Sequence, residues 1–325
     1  MIVPRYWSES KTRKIVNGKQ FTIKRFGWSD INELDAKSLA DARLQEAVST
    51  LMKEGDVRRI DHKTSYNGAE GIPIREEVIS THEDVVISRN SYGALCLNTP
   101  DVLFGDIDFE YEASFKIHAI SFVLLLICSL LLGLSFESWA ALGISIFAAA
   151  IFTSTLANAL HRATLKLSGG AEKKALNTIT HVSTQNSELN IRVYRTPLGY
   201  RVLFMNSTYN PTDGKAIQLL NDLKSDRTYI QMCKNQNCFR ARVSPKPWRI
   251  GIVRLRPTSG VWPIKEERME ERREWVKIYE IESANVSSCH YVASIGSDKV
   301  DAKAEFVRKI HDELCKVNNS ELKIA

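Results

Sequence analysis

A long apolar stretch without charge dominates the middle of the sequence. It runs from Ala119 to Phe136 as AISFVLLLICSLLLGLSF and, after Glu137, from Ser138 to Leu160 as SWAALGISIFAAAIFTSTLANAL. A helix needs about 20 residues to cross the hydrocarbon of a bilayer, and each half is close to that length. Because polar residues around Glu137 divide the stretch, the sequence predicts a hairpin of two transmembrane helices, 119–136 and 138–160.

The second half carries small residues at every fourth position, which would let two helices approach closely. These residues are Ala141, Ser145, Ala149 and Thr153. The alternative is a buried hairpin in a soluble core. The leucine-rich runs 124–127 and 130–132 are apolar on all sides, so a soluble protein would have to surround such a hairpin with other segments. The membrane is therefore the better interpretation.

The residues that flank the stretch predict its orientation. Lys116 and His118 precede it, and His161, Arg162 and Lys166 follow it, whereas the turn carries only an acid. Positive flanks stay in the cytoplasm, so both termini are expected there. The first residues lack the apolar region of a cleavable signal peptide. In a reducing compartment the cysteines outside the membrane should be free thiols or metal ligands rather than disulfides.

The remaining composition is that of a folded protein. The chain has 325 residues, a net charge of +6, 44% apolar residues and 25% charged residues. These values exclude a collagen, a disordered tail and a disulfide-rich miniprotein. A mean hydropathy of −0.21 also excludes a polytopic transporter.

Both flanks of the apolar stretch show patterns of strands and helices. We predict helices at 29–55, 171–185, 216–223 and 306–317, and strands at 77–80, 85–88, 102–110, 191–196 and 200–204. Mixed elements on both sides indicate an α+β fold. We therefore expect a single mixed cytoplasmic domain, made of residues 1–117 and 162–325, that is interrupted by the transmembrane hairpin at 118–161.

An acidic motif, FGDIDFE, occupies residues 104 to 110. In a strand, Ile107 and Phe109 would face the core, and Asp106, Asp108 and Glu110 would share the other face at intervals of about 6–7 Å. Carboxylates in a row repel each other, so a cation should compensate them. Mg²⁺ or Mn²⁺ would suit a metal-dependent phosphoryl or nucleotidyl transfer. The alternative is a solvated strand face that is paired with local arginines.

A basic segment spans residues 239 to 265 and contains no acid. Cations interleaved with Trp248 and Trp262 suit phosphate groups or anionic lipid headgroups. The candidate phosphate- or lipid-binding residues are Arg195, Arg201, Arg240, Arg242, Lys246 and Arg249. A solvated strand face that pairs with the acidic strand is the alternative.

The cysteines offer a weak metal pattern. Cys233, Cys238 and Cys289, with the neighbouring His290, are four soft ligands, but their spacing is unlike that of paired zinc ligands. Buried free cysteines explain Cys233, Cys238 and Cys289 better than zinc does. Phosphate-binding loops, dinucleotide fingerprints and nucleophile elbows are absent from the sequence.

Several motifs resemble an uncharacterised family of bacterial two-helix membrane proteins. The motifs are FGDIDFE, RVYRTPLGYRVLF and CFRARVSPKPWR, with GIPIREE and RNSYGALCLN upstream. The resemblance implies a protein of the bacterial inner membrane. More remotely, the order of the motifs resembles the archaeo-eukaryotic primase and primase-polymerase core. That resemblance implies metal binding at Asp106 and Asp108, with Arg201 standing where the family carries a phosphate-contacting His.

Two functions are therefore expected. The first is a membrane-anchored cytoplasmic interaction module whose basic and aromatic surface contacts lipid headgroups or a protein partner. The alternative is a metal-dependent nucleotide-binding or nucleotidyl-transfer enzyme of primase-like type, or a degenerate form of one, whose partners would be nucleotides or nucleic acid. The incomplete acidic site favours the first.

Overall fold

The computed structural model describes residues 3–61 and 72–325. The contacts within the chain divide it into two compact units. The first unit contains Met1–Ile107, Val182–Pro197 and Arg201–Ala325, and the second contains Asp108–His181 and Leu198–Tyr200. The first part of the GIPIREE motif, Gly71, lies outside the described residues.

The fold mixes helices and strands, as the sequence predicts. The strands are β1 (Tyr6–Val16), β2 (Lys19–Ser29), β3 (Glu77–His82), β4 (Val85–Arg89), β5 (Leu95–Thr99), β6 (Phe104–Asp108), β7 (Asn190–Arg195), β8 (Gly199–Phe204), β9 (Phe239–Arg242), β10 (Val286–Ser287), β11 (His290–Gly296) and β12 (Lys323–Ile324). The helices are α1 (Glu33–Glu54), α2 (Phe115–Ser135), α3 (Trp139–Leu167), α4 (Ala171–Gln185), α5 (Gly214–Asp222), α6 (Arg227–Gln236), α7 (Pro257–Gly260), α8 (Met269–Ser283) and α9 (Ala302–Cys315).

The N-terminal part of the first unit is a long hairpin covered by one helix. β1 and β2 pair antiparallel along their whole length, from Tyr6 opposite Ser29 to Val16 opposite Lys19. Asn17 and Gly18 form the turn with positive φ angles of 51° and 72°, which is the backbone that a tight two-residue hairpin requires. α1 packs its small residues against β2.

Two four-stranded sheets form the rest of the framework. One has the order β3-β4-β5-β9 and is antiparallel throughout. The other has the order β11-β7-β8-β6, which places β8 next to β6. Apolar residues from both sheets and from α9 share one core, whose members include Val85, Leu97, Phe104, Leu203 and Val307. This core positions β6, β8 and α9, the elements that carry the candidate site.

The second unit is built on the two apolar helices, α2 and α3, which lie side by side. Ser145 on α3 approaches the Ser129 carbonyl on α2 at 3.5 Å, and Ser129 is buried. Ala149 is buried on the same face of α3, as the four-residue spacing of small residues predicts. The turn between the helices contains Glu137 at a positive φ, and the Ser138 hydroxyl caps the first turn of α3.

The outward faces of α2 and α3 are apolar and exposed. Each helix is long and apolar enough to cross a membrane, with a mean hydropathy of 2.6 for α2 and 1.9 for α3 in the most apolar part. Large apolar side chains such as Leu131, Leu134, Ile144 and Phe147 are more than half exposed. Only 11% of either apolar part is buried, which is the opposite of what the core of a soluble protein shows.

The base of this hairpin is fixed by polar contacts within the second unit. The His161 ring donates to the Glu110 carbonyl at 2.9 Å, and the Asn158 side chain accepts from the Ala113 N–H at 3.2 Å. Glu110 also pairs with Lys174 of α4 at 2.7 Å. The segment that enters α2 is therefore tied to the end of α3.

Several predicted elements are confirmed, and some bounds differ. The hairpin of β3 and β4 and the helix α4 lie where the sequence places them. β6 ends at Asp108 instead of continuing to Glu110, because the Phe109 N–H turns to the Leu198 carbonyl. α2 begins at Phe115, and α3 continues to Leu167 beyond the expected end at Leu160.

The contact of β2 with α1 depends on Gly27. A Cβ atom at this position would overlap the Ala36 carbonyl oxygen and the Ala40 nitrogen of α1. We expect Gly27→Ala to lower the free energy of unfolding by about 3 kcal/mol, because the helix must move off the sheet. Urea unfolding of the detergent-solubilised protein, followed by tryptophan fluorescence, measures the change. Gly214→Ala is the control, since a Cβ there meets no atom within 4 Å; equal loss in the two variants would contradict the packing.

Candidate functional site

The central polar contact of the first unit joins the acidic motif to β8. The Arg201 Nε donates to Asp106 Oδ1 at 2.9 Å, and a second guanidinium nitrogen lies 3.4 Å from Oδ2. The same guanidinium donates to the Arg242 carbonyl at 2.6 Å. The Arg201 side chain is 3% exposed, and that of Asp106 is 46% exposed. The pair therefore lies at the edge of the core with its cation inside.

The ion pair shifts both pKa values in the expected directions. Partial burial favours protonated Asp106, but the charge and hydrogen bonds of Arg201 outweigh it, so the Asp106 pKa is lowered. Burial likewise opposes the charge on Arg201, and Asp106 outweighs that effect and raises the Arg201 pKa. Both groups are charged at neutral pH.

The three acids of the motif do not share one environment. Asp106 belongs to the first unit, and Asp108 and Glu110 belong to the second. Asp108 is exposed at the end of β6, and Glu110 is bound by Lys174. The cation that compensates Asp106 here is an arginine. A role for Asp106, Asp108 and Glu110 in binding Mg²⁺ or Mn²⁺ stays a prediction.

The candidate basic residues divide into buried and surface groups. Arg240 is held by both carboxylate oxygens of the half-buried Glu76 at 2.7 Å. Arg242 is half-buried at the end of β9, and Arg195 donates to the Thr196 carbonyl at the end of β7. Arg201 and Arg240 are engaged in buried ion pairs. A phosphate or lipid headgroup at the surface would therefore contact the other basic residues.

The surface group lies on residues 246–256, which we call the basic loop. Trp248 is 51% exposed and Val253 is 80% exposed. The Lys246 ammonium lies 5.4 Å from the centre of the Trp248 ring. The remaining cations of the loop are the half-buried Arg249 and the exposed Arg254 and Arg256. The Trp275 indole N–H of α8 holds the backbone by donating to the Val253 carbonyl at 2.8 Å.

A second cluster, which we call the Cys–His cluster, lies in the core next to α9. It consists of Cys289, His311 and Cys315, and all three residues are fully buried. The three ligand atoms, two Sγ and one ring nitrogen, lie within 4.8 Å of one another. His311 and Cys315 are one helical turn apart, and Cys289 lies between β10 and β11. These residues could hold a soft or borderline metal ion.

One carboxylate, held by two arginines, orients His311. Its Nδ1 is 3.0 Å from the buried Asp312 carboxylate. Asp312 accepts in turn from Arg192 at 3.1 Å and from Arg308 at 2.7 Å. The opposite ring nitrogen, Nε2, lies 3.5 Å from the Cys315 Sγ.

The residues of the Cys–His cluster shift one another's pKa values. A hydrogen bond from Cys315, supported by His311 and Arg201, lowers the Cys289 pKa well below its usual value despite burial. Burial opposes the charge on His311, but Cys289 and Asp312 outweigh it and raise the His311 pKa. Burial raises the Cys315 pKa. The cluster therefore favours loss of the proton from Cys289 and retention of the proton on His311.

The three cysteines weighed as zinc ligands from the sequence lie in different surroundings. Cys233 and Cys238 are buried where α6 meets β9, and burial raises the pKa of Cys238 to about 12. Cys289 instead joins His311 and Cys315, and His290 begins β11. The sequence signal for the missed residues is the spacing His311-x3-Cys315, which places both side chains on one helical face.

Comparison with known proteins adds no further assignment. No protein-family model matches the chain, and neither a curated protein nor a solved structure matches it. The resemblance to bacterial two-helix membrane proteins and to primases therefore stays a prediction.

The Asp106–Arg201 pair generates a stability prediction. Asp106→Asn leaves the Arg201 charge buried without its anion, which costs about 3–5 kcal/mol in a fully buried pair and about 2 kcal/mol after discounting the exposure of Asp106. Glu110→Gln is the control, because its partner Lys174 is exposed and the pair contributes about 0–1 kcal/mol. Urea unfolding of both detergent-solubilised variants measures the difference.

The same pair predicts a dependence on pH. Because the Asp106 pKa is lowered in the folded protein, its contribution is complete above the ordinary aspartate pKa of about 3.9 and is lost as the pH falls through the lower folded value. The stability gap between the natural protein and Asp106→Asn should be constant between about pH 5 and 8 and shrink at more acidic pH. A gap that widens with acid, or no gap at neutral pH, would contradict the ion pair.

Proposed function

We propose that the protein is a membrane-anchored interaction module of the bacterial inner membrane. α2 and α3 cross the bilayer as a hairpin, both termini lie in the cytoplasm, and the basic loop contacts anionic lipid headgroups. The observation that carries the proposal is the apolar, uncovered outer surface of α2 and α3. In a bilayer, lipid tails cover such a surface, so its apolar area is not exposed to water.

Charge supports the proposed sidedness. Lys116 stands in the first turn of α2, and Arg162 and Lys166 stand in the last turns of α3. The turn between the helices carries Glu137 and no cation. Basic flanks and a turn without cations are typical of a hairpin whose two ends remain in the cytoplasm.

The composition of the basic loop supports contact with headgroups. An exposed tryptophan and an exposed valine stand beside four cations, and residues 239–265 contain no acid to oppose an anionic surface. Each Lys or Arg near an anionic leaflet contributes about 1 kcal/mol, and tryptophan prefers the interfacial region. Because the anchor holds the protein at the membrane, the local concentration of headgroups around the basic loop is high. Individually weak contacts are then enough for binding.

A lipid-dependent probe on the loop tests the proposal. Val253→Cys, in a Cys128→Ser background, is labelled with an environment-sensitive fluorophore, and the full chain is placed in nanodiscs. Phosphatidylcholine is compared with a mixture that contains phosphatidylglycerol. We expect a blue-shifted emission in the anionic nanodiscs only, lost at about 1 M salt, where the Debye length is about 3 Å.

Two controls make the result specific. Arg254→Glu with Arg256→Glu should remove the shift, because the loop then repels the anionic surface. The same dye at Ile15→Cys, an exposed position on β1, should report no difference between the lipids. Identical emission from the loop in both lipids would overturn headgroup contact. Recovery of the natural chain in the soluble fraction would overturn the anchor.

A further inference from the structure

The Cys–His cluster brings three metal-binding side chains together. Tetrahedral zinc, with Zn–S of about 2.3 Å and Zn–N of about 2.0 Å, separates its sulfur and nitrogen ligands by about 3.5–3.8 Å. The Cys315 Sγ lies 3.5 Å from the His311 Nε2, and the Cys289 Sγ lies within 4.8 Å of the Cys315 Sγ and of a ring nitrogen of His311. These separations are equal to those around a bound zinc ion or exceed them by at most roughly 1 Å.

The outer contacts select the nitrogen that would bind. Asp312 occupies Nδ1 of His311, and the Cys315 Sγ lies beside Nε2, so Nε2 is the nitrogen available to an ion. A carboxylate behind a ligating histidine is the usual second layer of a zinc site, because it fixes the tautomer and increases ligand basicity. Arg192 and Arg308 hold that carboxylate in place.

The backbone brings the two cysteine-bearing segments together. The Ser287 hydroxyl lies 2.8 Å from the carbonyls of both Cys289 and Cys315, and the Ser288 N–H donates to the Cys315 carbonyl at 3.0 Å. Aromatic rings line the histidine, with the Tyr194 ring centre at 4.7 Å and the Phe104 ring centre at 5.4 Å. The site is therefore enclosed by side chains, and hydrogen bonds join its two backbone segments.

The donor chemistry separates this cluster from the other buried cysteines. Cys233 and Cys238 have neither a histidine ligand nor a carboxylate relay in the described part of the chain, and they pack as small apolar residues. At Cys289, His311 and Cys315, two thiolates and one imidazole give a ligand charge of about −2, which a divalent ion neutralises.

We propose that Cys289, His311 and Cys315 bind one zinc ion, which links α9 to the connection between β10 and β11. Three protein ligands leave the fourth position to a water molecule. Asp312 is a positioning residue that acts through His311.

Metal analysis of the full chain tests the site. The protein is purified in detergent with a tag that binds no metal, and zinc is quantified by mass spectrometry. We expect about one zinc per chain, and its loss in Cys315→Ser and in His311→Ala. Cys233→Ser removes a buried thiol outside the cluster and should retain the metal.

Two further readouts keep the proposal falsifiable if a ligand variant fails to fold. Replacing zinc by Co²⁺ in the natural protein should give the near-ultraviolet bands of thiolate-to-cobalt charge transfer. Asp312→Asn should weaken zinc binding by about 10–100-fold in competition with a chromophoric chelator. Metal-free protein without cobalt bands, or zinc retained in both ligand variants, would overturn the assignment.

Discussion

The exclusion of apolar surface from water is the constraint on which the architecture depends. α2 and α3 present large side chains outward along most of their length, and within the described structure few of these side chains have protein cover. At the base of the hairpin, His161 and Asn158 hold the segment that enters α2. The chain leaves the first unit after Ile107 and rejoins it at Val182. The apolar hairpin is thus an insertion whose two ends are held together by these hydrogen bonds.

In the first unit, several arginines are buried because each pairs with a carboxylate. Arg201, Arg240 and Arg272 are buried, and each contacts a carboxylate, of Asp106, Glu76 and Glu77 respectively. A buried guanidinium without an anion would cost several kcal/mol. These three arginines are therefore structural. The cations of the basic loop differ because they lie at or near the surface beside exposed apolar residues.

The predictable part of the fold is the part with local periodicity. The apolar runs, the alternation around β3 and β4, and the amphipathic pattern of α4 follow from spacing alone. The hairpin of β1 and β2 had a local signal, Asn17-Gly18, which is typical of a tight turn. The Asp106–Arg201 contact joins residues 95 positions apart, and Cys289 reaches α9 only through tertiary packing. Such contacts arise from sheet order, which no single sequence pattern encodes.

Sidedness of the turn at Glu137 tests the proposed membrane hairpin most directly. In a Cys128→Ser background, Glu137→Cys is compared with Leu34→Cys, at an exposed position of α1, in intact cells with a membrane-impermeant maleimide. The proposal predicts that the Glu137→Cys variant reacts from outside the inner membrane and that the Leu34→Cys variant reacts only after lysis. Protection of position 137 until lysis would contradict a hairpin that crosses the bilayer.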